Sequence, residues 1–517
     1  MSQITNETWA ENMKAYFDKR VATMLFLGFS AGLPILMIFS SLSLWLREAG
    51  VERGAVTYFS WAALGYSFKF IWAPLVDKLP IPLLTNLFGR RKSWLLFSQG
   101  LVITAICWMS MIDPASGENS LTYMALAAVM LGFSSATQDI VIDAFRIESA
   151  EARMQAILSS VYIAGYRLAM IVSGAGAIAF AEYLGSTSTH YSYHAWKWSY
   201  LAMAACMLIG VVTTLSSPEP DLAKRDDSHS TKDYIQFFFL FLLIVCCFVT
   251  VFYLTGDITS SFKIELVEFL NNKAFAGFIV GFLRLVISVT GAGLVAFLIG
   301  QTGLVNTDMV EEGYVSPIRN FFERYGKNMA ILLLTLIGLY RISDIVLGVI
   351  SNVFYQDLGF TKTQIASVVK TFGLVMSLLG GFLGGLLTTR FGVIRILLWG
   401  AVLSSATNLL FMLLDKMGAN LPMLYLVISA DNLAAGLASA AFVAFLSDLT
   451  DVSFTAVQFA IFTSLMTLLP KVMGGYSGSM VDTMGYSGFF AMTAIIGLPV
   501  IYVVWLCGKK FQLKNSV

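Results

Sequence analysis

Asp139 and Asp143 stand four residues apart in GFSSATQDIVIDAFRIE (132–148), an apolar segment long enough to cross a membrane. At helical spacing both carboxylates lie on one face. An ionisable side chain at membrane depth is costly and by default marks a solute path or a proton relay. Burial favours the neutral acid and a nearby cation favours the carboxylate. A carrier that moves the pair between two such environments couples a proton to transport. Three roles stay open for the pair: proton sites, partners of a cation at a cytoplasmic gate, or structural carboxylates at a helix end. Asp139 is deeper and is the better proton site. Asp143 is nearer the end and suits a gating or structural pair with Arg146 or the GRRK segment. Arg146 and Glu148 close the segment, where the helix is expected to reach water.

Further charges interrupt apolar runs. Arg341 and Asp344 lie midway along LIGLYRISDIVLG (336–348) at a spacing that allows an internal ion pair. Their depth also suits ligand binding or, for Asp344, proton coupling. Arg167, in GYRLAMIVSG, needs an anion at that depth, either a ligand or Asp139. Lys69 (GYSFKFIWAP) and Lys471 (LLPKVMGG) are too central to snorkel to the surface. Gln138, beside Asp139, joins this candidate ligand-binding group. Arg284 is assigned no ligand. Several cations beside a few carboxylates suit a polar, net-anionic solute, with Arg gripping a carboxylate bidentately and Lys acting as a point charge. Asp77, Arg90 and Arg91, in VDK…GRRK (76–78, 89–92), form with Arg146 a candidate gate. The plainer reading of that loop is a row of basic residues on the cytoplasmic side.

The elements that must hold these residues are membrane spans. The chain has 517 residues, 57% hydrophobic and 13% charged, against about 25% charged in a soluble protein. Net charge is +1, which implies no basic surface for nucleic acid. The five cysteines sit in apolar runs without zinc-ligand spacing or a disulfide framework. No phosphate-binding GxxxxGK[S/T] loop is present, which argues against an ATP-driven pump, and no metal or cofactor is expected. The three histidines lie in polar loops with no nucleophile–base or metal constellation, so an enzyme is not expected. Spans of about 20 apolar residues are expected at 21–45, 56–76, 93–112, 121–145, 155–182, 196–215, 235–256, 274–300, 329–355, 364–388, 393–414, 422–447, 455–480 and 487–508. Most Lys and Arg of the connecting segments then fall on one side, which predicts cytoplasmic termini. The polar N-terminus reads as a tail rather than a signal peptide.

The chain repeats itself at an offset near 305–310 residues. WLREAGVERGAV (45–56) resembles FYQDLGFTKTQI (354–365), GFSSATQDIVIDAF (132–145) is echoed by GLASAAFVAFLSDL (436–449), and VDK…GRRK by TTRFGVIR (388–395). Two parallel six-helix repeats are the plan of the major facilitator superfamily, and VDK…GRRK resembles its second-to-third-loop motif, stretched by an insertion. The expected fold class is thus an all-α polytopic membrane protein. It has a tail (1–20), an N-terminal bundle (21–215), linkers with an inserted helical hairpin (216–328), a C-terminal bundle (329–508) and a second tail (509–517). Within the linker, NFFERYGKN is expected to form a short amphipathic helix. The Gly-rich runs SGAGA (173–177) and GGFLGG (380–385) are read as close helix contacts.

ATQDIVIDAF, GYRLAMIVSG, GLPILMIFSSLSLWLREAGV (32–51) and YSFKFIWAPLVD (66–77) resemble the AmpG family of anhydromuropeptide permeases. The likeness is dense over about 20–215 and looser beyond, through YRISD and LSDLTD. The resemblance implies uptake of N-acetylglucosaminyl-1,6-anhydro-N-acetylmuramic acid, with or without its peptide, from periplasm to cytoplasm across a bacterial inner membrane. It implies a proton gradient as driving force, a part in cell-wall recycling and, in some bacteria, in β-lactamase induction. The expected partners are the substrate, protons and membrane lipid, with no nucleic acid, and the expected state is a monomer. TQD-I-x-x-D also occurs in acetyl-coenzyme A transporters, so a carrier of another anionic or drug-like conjugate is the alternative. A sensor or scaffold without transport is the rival from another class. The stretch 183–197 and the linker 301–328 depart from the family pattern.

Overall fold

A computed structural model describes residues 14–51, 59, 65–187, 190–220, 230–270, 273–361, 364–474 and 477–514, and these are almost wholly helical. In chain order the main helices are α1 (Lys19–Ile38), α2 (Ser40–Glu48), α3 (Ala73–Lys78), α4 (Arg90–Ser110), α5 (Glu118–Glu148), α6 (Ala152–Ile171) and α7 (Tyr193–Ser216). There follow α8 (Thr231–Ile258), α9 (Lys273–Gln301), α10 (Ser316–Tyr325), α11 (Lys327–Leu339) and α12 (Ile342–Asp357). The chain closes with α13 (Gly373–Phe391), α14 (Val393–Met417), α15 (Leu421–Leu449), α16 (Thr455–Gly474) and α17 (Ser477–Lys514).

Among the described residues, twelve helices are long and apolar enough to cross a membrane. Two of the fourteen expected spans are not among them. The span 56–76 begins largely outside the described residues and continues as the short pieces Gly65–Phe68, Lys69–Ile71 and α3. In the span 455–480 the apolar stretch that qualifies is the shorter Val452–Thr467. The expected insert, α8 with α9, packs on itself. Its Arg284 donates from Nη2 to the Phe252 carbonyl at 2.5 Å and lies 4.3 Å over the Phe252 ring. The expected linker helix is α10, which buries Phe321.

The internal repeat is visible in backbone geometry. α2 and α12 both end on a glycine in the left-handed region, Gly50 (φ 84°) and Gly359 (φ 93°). The next residue's N–H reaches back five positions, Val51 to Leu46 O at 2.9 Å and Phe360 to Tyr355 O at 3.1 Å, which closes a helix with its last carbonyls satisfied. α4 and α14 likewise follow Gly89 and Gly392, each at φ 85°. The spans 21–45 and 329–355, expected to be continuous, both break. Phe39 leaves helical geometry between α1 and α2, and Arg341 sits at φ −96°, ψ 7° between α11 and α12.

Small residues set the packing. A Cβ on Gly28, Gly32 or Gly165 would fall 1.9–2.2 Å from a carbonyl oxygen across the α1–α6 contact. Backbones this close gain dispersion that larger side chains would forbid. The expectation for the Gly-rich runs is met at Gly380 and Gly384, which press on Leu433 and Leu437 of α15, while SGAGA lies in a π-helical turn. One apolar core gathers mainly residues of α10–α17, a second those of α1, α2 and α4–α7, and a third joins α1, α3–α6 and α8 to Ala456, Val457 and Ala460 of α16. That third core brings the N-terminal half against α16 at the end bearing the charged loops.

Candidate functional site

At that end Arg91 is 1% exposed and holds two acids. Its Nη2 lies 2.8 Å from Asp77 Oδ1 and 2.5 Å from Glu148 Oε1, and Nε donates to Glu148 Oε2 at 2.8 Å. Arg90 Nη1 donates to the Asp77 carbonyl at 2.9 Å. Asp77 in turn accepts from Ala456 N at 3.3 Å and Val457 N at 3.1 Å. These are orphan donors in the first turn of α16, where a carboxylate is stabilised by the helix dipole. Asp77 therefore ties α3 and α4 to the far half of the molecule. Glu219 caps α4, accepting from Arg91 N at 2.7 Å and Lys92 N at 3.0 Å, and burial pushes its carboxyl pKa up against those two bonds.

Arg146 is the second tie. Its Nη1 donates to Gln155 Oε1 and Ser159 Oγ at 3.0 Å each and to Ser447 Oγ of α15 at 2.8 Å, and the guanidinium lies 5.2 Å over the Phe459 ring of α16. Arg146 and the Glu148 side chain are both 0% exposed. The expectation that α5 reaches water at these two residues is thus corrected: partners on α4, α6, α15 and α16 close over them.

Asp143 lies 3.4 Å from Arg146 Nη2 and 3.6 Å from Lys69 Nζ. Its expected partner Arg146 is present, the GRRK segment is not, and Lys69 takes that place. Asp139 is buried, and its Oδ1 has no hydrogen-bond partner. Its electrostatic neighbours are Lys69, Asp143 and the tyrosines Tyr66, Tyr162 and Tyr166. Arg167, set against Asp139 as one alternative, is not among them. Gln138 is fully buried and donates to Ser30 Oγ at 3.0 Å. It lies in the packing of α1 on α5, and its Oε1 has no hydrogen-bond partner.

Arg167 projects from α6 and is exposed. Its side chain bonds only Met170 Sδ, at 4.0 Å, and its electrostatic neighbours are Arg341 and Tyr166. Arg341 donates to Ser439 Oγ at 2.5 Å and keeps Nε 3.2 Å from Asp344 Oδ2 without hydrogen-bond alignment. Asp344 also accepts a hydrogen bond from Ser404. The internal Arg341–Asp344 pair is therefore present. Lys471 lies in α16, and its side chain is outside the described residues.

Sequence reasoning missed Asp431, in ISADNLAAG on α15, which accepts from Thr407 Oγ1 at 3.4 Å. The signal was available, since Asp431 is the one charge in the apolar stretch 417–447. It also missed Asp448, one position past Ser447, the repeat counterpart of Asp143; both oxygens of Asp448 are buried without a hydrogen bond. A separate apolar cavity of about 1430 Å³ lies between the α8–α9 pair and Phe68, Trp72 and Phe133. None of the charged residues at the centre of the molecule borders it.

Two helical halves, tied at one end by hydrogen bonds from a buried charged cluster of the first half and carrying further charges along apolar helices, define a polytopic membrane carrier. The chain belongs to the Major Facilitator Superfamily, whose sequence model matches residues 21–306 and 332–516. Among curated relatives it is 27% identical to "Putative transporter AmpG 4" of Rickettsia conorii over 500 residues (97% of this chain, 99% of that one). It is also 27% identical to the "Anhydromuropeptide permease" of Escherichia coli K12 over 505 residues (97% and 82%). Among solved structures, the proton:xylose symporter XylE aligns with TM-score 0.59 at 12% identity, covering 96% of each chain. The human organic anion transporter MFSD10 aligns with TM-score 0.55 at 14% identity, covering 94% of this chain and 99% of that one. At such identities the structural likeness speaks for the fold alone.

Proposed function

We propose that this carrier imports anhydromuropeptides from periplasm to cytoplasm, driven by the proton gradient, for recycling of cell-wall fragments and, where the host uses that signal, for β-lactamase induction. It acts as a monomer in a bacterial inner membrane with both termini cytoplasmic. Its fourteen spans divide as six (21–215), an inserted pair, and six (329–508). The observation that carries the reading is Arg167, a guanidinium at membrane depth with no carboxylate among the described residues and with Arg341 as its charged neighbour. Two guanidiniums that act on each other at membrane depth call for an anion, and a disaccharide with a lactyl group and stem-peptide carboxylates supplies several. Full-length similarity to relatives named as AmpG transporters and as an anhydromuropeptide permease supports that solute class.

In this account Asp139 carries the proton, its charge set by whether Lys69 or water reaches it. Asp77, Arg90, Arg91 and Arg146 hold the cytoplasmic ends together and part when the carrier opens inward. Calorimetry on the detergent-solubilised protein distinguishes the substrate classes. Binding of the anhydro-disaccharide peptide without binding of acetyl-coenzyme A is expected, and the reverse pattern selects the other anionic conjugate.

A further inference from the structure

The C-terminal half holds a second pair of acids at membrane depth, and its surroundings differ from those of Asp139. Ser404 and Thr407 stand three apart on α14 and so share a face. Ser404 donates to Asp344 of α12, and Thr407 donates to Asp431 of α15 at 3.4 Å. One turn of α14 thus presents a hydroxyl to each carboxylate, and the two acids act on each other electrostatically. Asn408 Nδ2 donates to Ser343 Oγ at 2.7 Å and fixes α14 against α12 beside them. The charged and titratable groups around the pair are Arg341 of the α11–α12 break, Tyr340 and Tyr355, with Arg167 of α6 beyond Arg341. Asp431 has no cation of its own within ion-pair distance among the described residues, so Arg341 is the one guanidinium serving both acids.

We propose that Asp344 and Asp431 share a proton whose uptake is governed by Arg341, making Asp431 a proton-coupling residue. The proposal rests on the ligand reading of Arg341 given above. When a ligand carboxylate draws the guanidinium away from Asp344, two carboxylates bonded to one turn of α14 remain at membrane depth with no cation. Like charges so placed do not both stay ionised. A proton from water then bonds to a carboxylate oxygen of the pair, while Arg341 stays charged and exchanges one carboxylate partner for another. Ligand binding and proton binding thereby favour each other, as linkage requires. On release of the ligand Arg341 returns to Asp344 and the proton leaves.

The first test needs no ligand. Infrared spectroscopy of the full chain labelled with carbon-13 aspartate reports protonated carboxyl groups directly. At neutral pH Arg341→Gln should gain a protonated-aspartate carbonyl band over wild type, and Arg341→Gln with Asp431→Asn should lose that gain. No gain in Arg341→Gln overturns the proposal. The second test starts from wild type, in case the Arg341 variants do not fold. Binding of anhydro-disaccharide peptide in weakly buffered detergent solution should take up about one proton per ligand, and Asp431→Asn should cut this by more than half at neutral pH. Ligand binding without proton uptake overturns the proposal. If wild type binds no anhydromuropeptide, the substrate reading fails and the infrared result decides this one alone.

Discussion

Replacing Asp77 with Asn removes one charge from the tie between the halves and leaves an amide oxygen to accept a hydrogen bond. Arg91 keeps its bidentate partner Glu148, so the roughly 3–5 kcal/mol penalty of an abandoned buried charge is avoided. What is lost is the charge facing the first turn of α16 and one of two acids on Arg91. A carboxylate at a helix N-terminus in a partly buried setting contributes up to about 2 kcal/mol, so the closed arrangement should weaken by about 1–2 kcal/mol. That amounts to a roughly 5–30-fold larger open population. Ser160 reports the change. It is 4% exposed and lies where α6 meets α13, its hydroxyl 2.8 Å from the position a Cβ on Gly385 would take. A Ser160→Cys protein lacking its native cysteines should react slowly with an impermeant maleimide in inside-out vesicles. Adding Asp77→Asn should raise the rate by that factor. An unchanged rate would show that Asp77 does not hold the halves together, whatever its hydrogen bonds.

The remaining expectations concern the interior. Asp139→Asn should abolish gradient-driven accumulation in proteoliposomes while exchange across the membrane persists; full accumulation would transfer the proton role to Asp344 and Asp431. Arg167→Ala and Arg341→Ala should each weaken binding more for the peptide-bearing ligand than for the bare disaccharide, read by calorimetry, with Lys restoring only part because the bidentate fork is lost; equal losses would show that neither arginine reads the peptide. Gly165→Ala should lower the melting temperature in detergent, since its Cβ would meet Leu25 O at 1.9 Å and overpacking costs about 1–3 kcal/mol; a melting point equal to wild type would refute the close α1–α6 approach.

The helical class was legible because apolar runs of membrane length admit little else. The repeat was legible because Gly50 and Gly359 end helices by the same backbone turn and so left the same residue behind. The breaks at Phe39 and Arg341 were not, because neither carries a glycine or proline at the break itself to announce it. Among the charges, spacing alone gave the Arg341–Asp344 and Arg146–Asp143 pairs, since local partners follow from helix geometry. The contacts of Asp77 with Ala456 and Val457 span about 380 positions and join backbone N–H groups that every residue type shares. No sequence pattern encodes that. Glu148 misled for a related reason: a charged residue at a helix end ordinarily reaches water, and only the docking of α4 with its Arg91 makes burial stable.

The most direct test of the account is uptake of labelled anhydro-disaccharide peptide by proteoliposomes holding the purified chain, with the proton gradient imposed inward, absent, or collapsed by a protonophore. The account predicts accumulation above the external concentration with the inward gradient, mere equilibration without it, and loss of accumulated ligand when the protonophore is added. Equal uptake under all three conditions would contradict proton coupling, and no uptake beside normal uptake of another anionic conjugate would contradict the substrate.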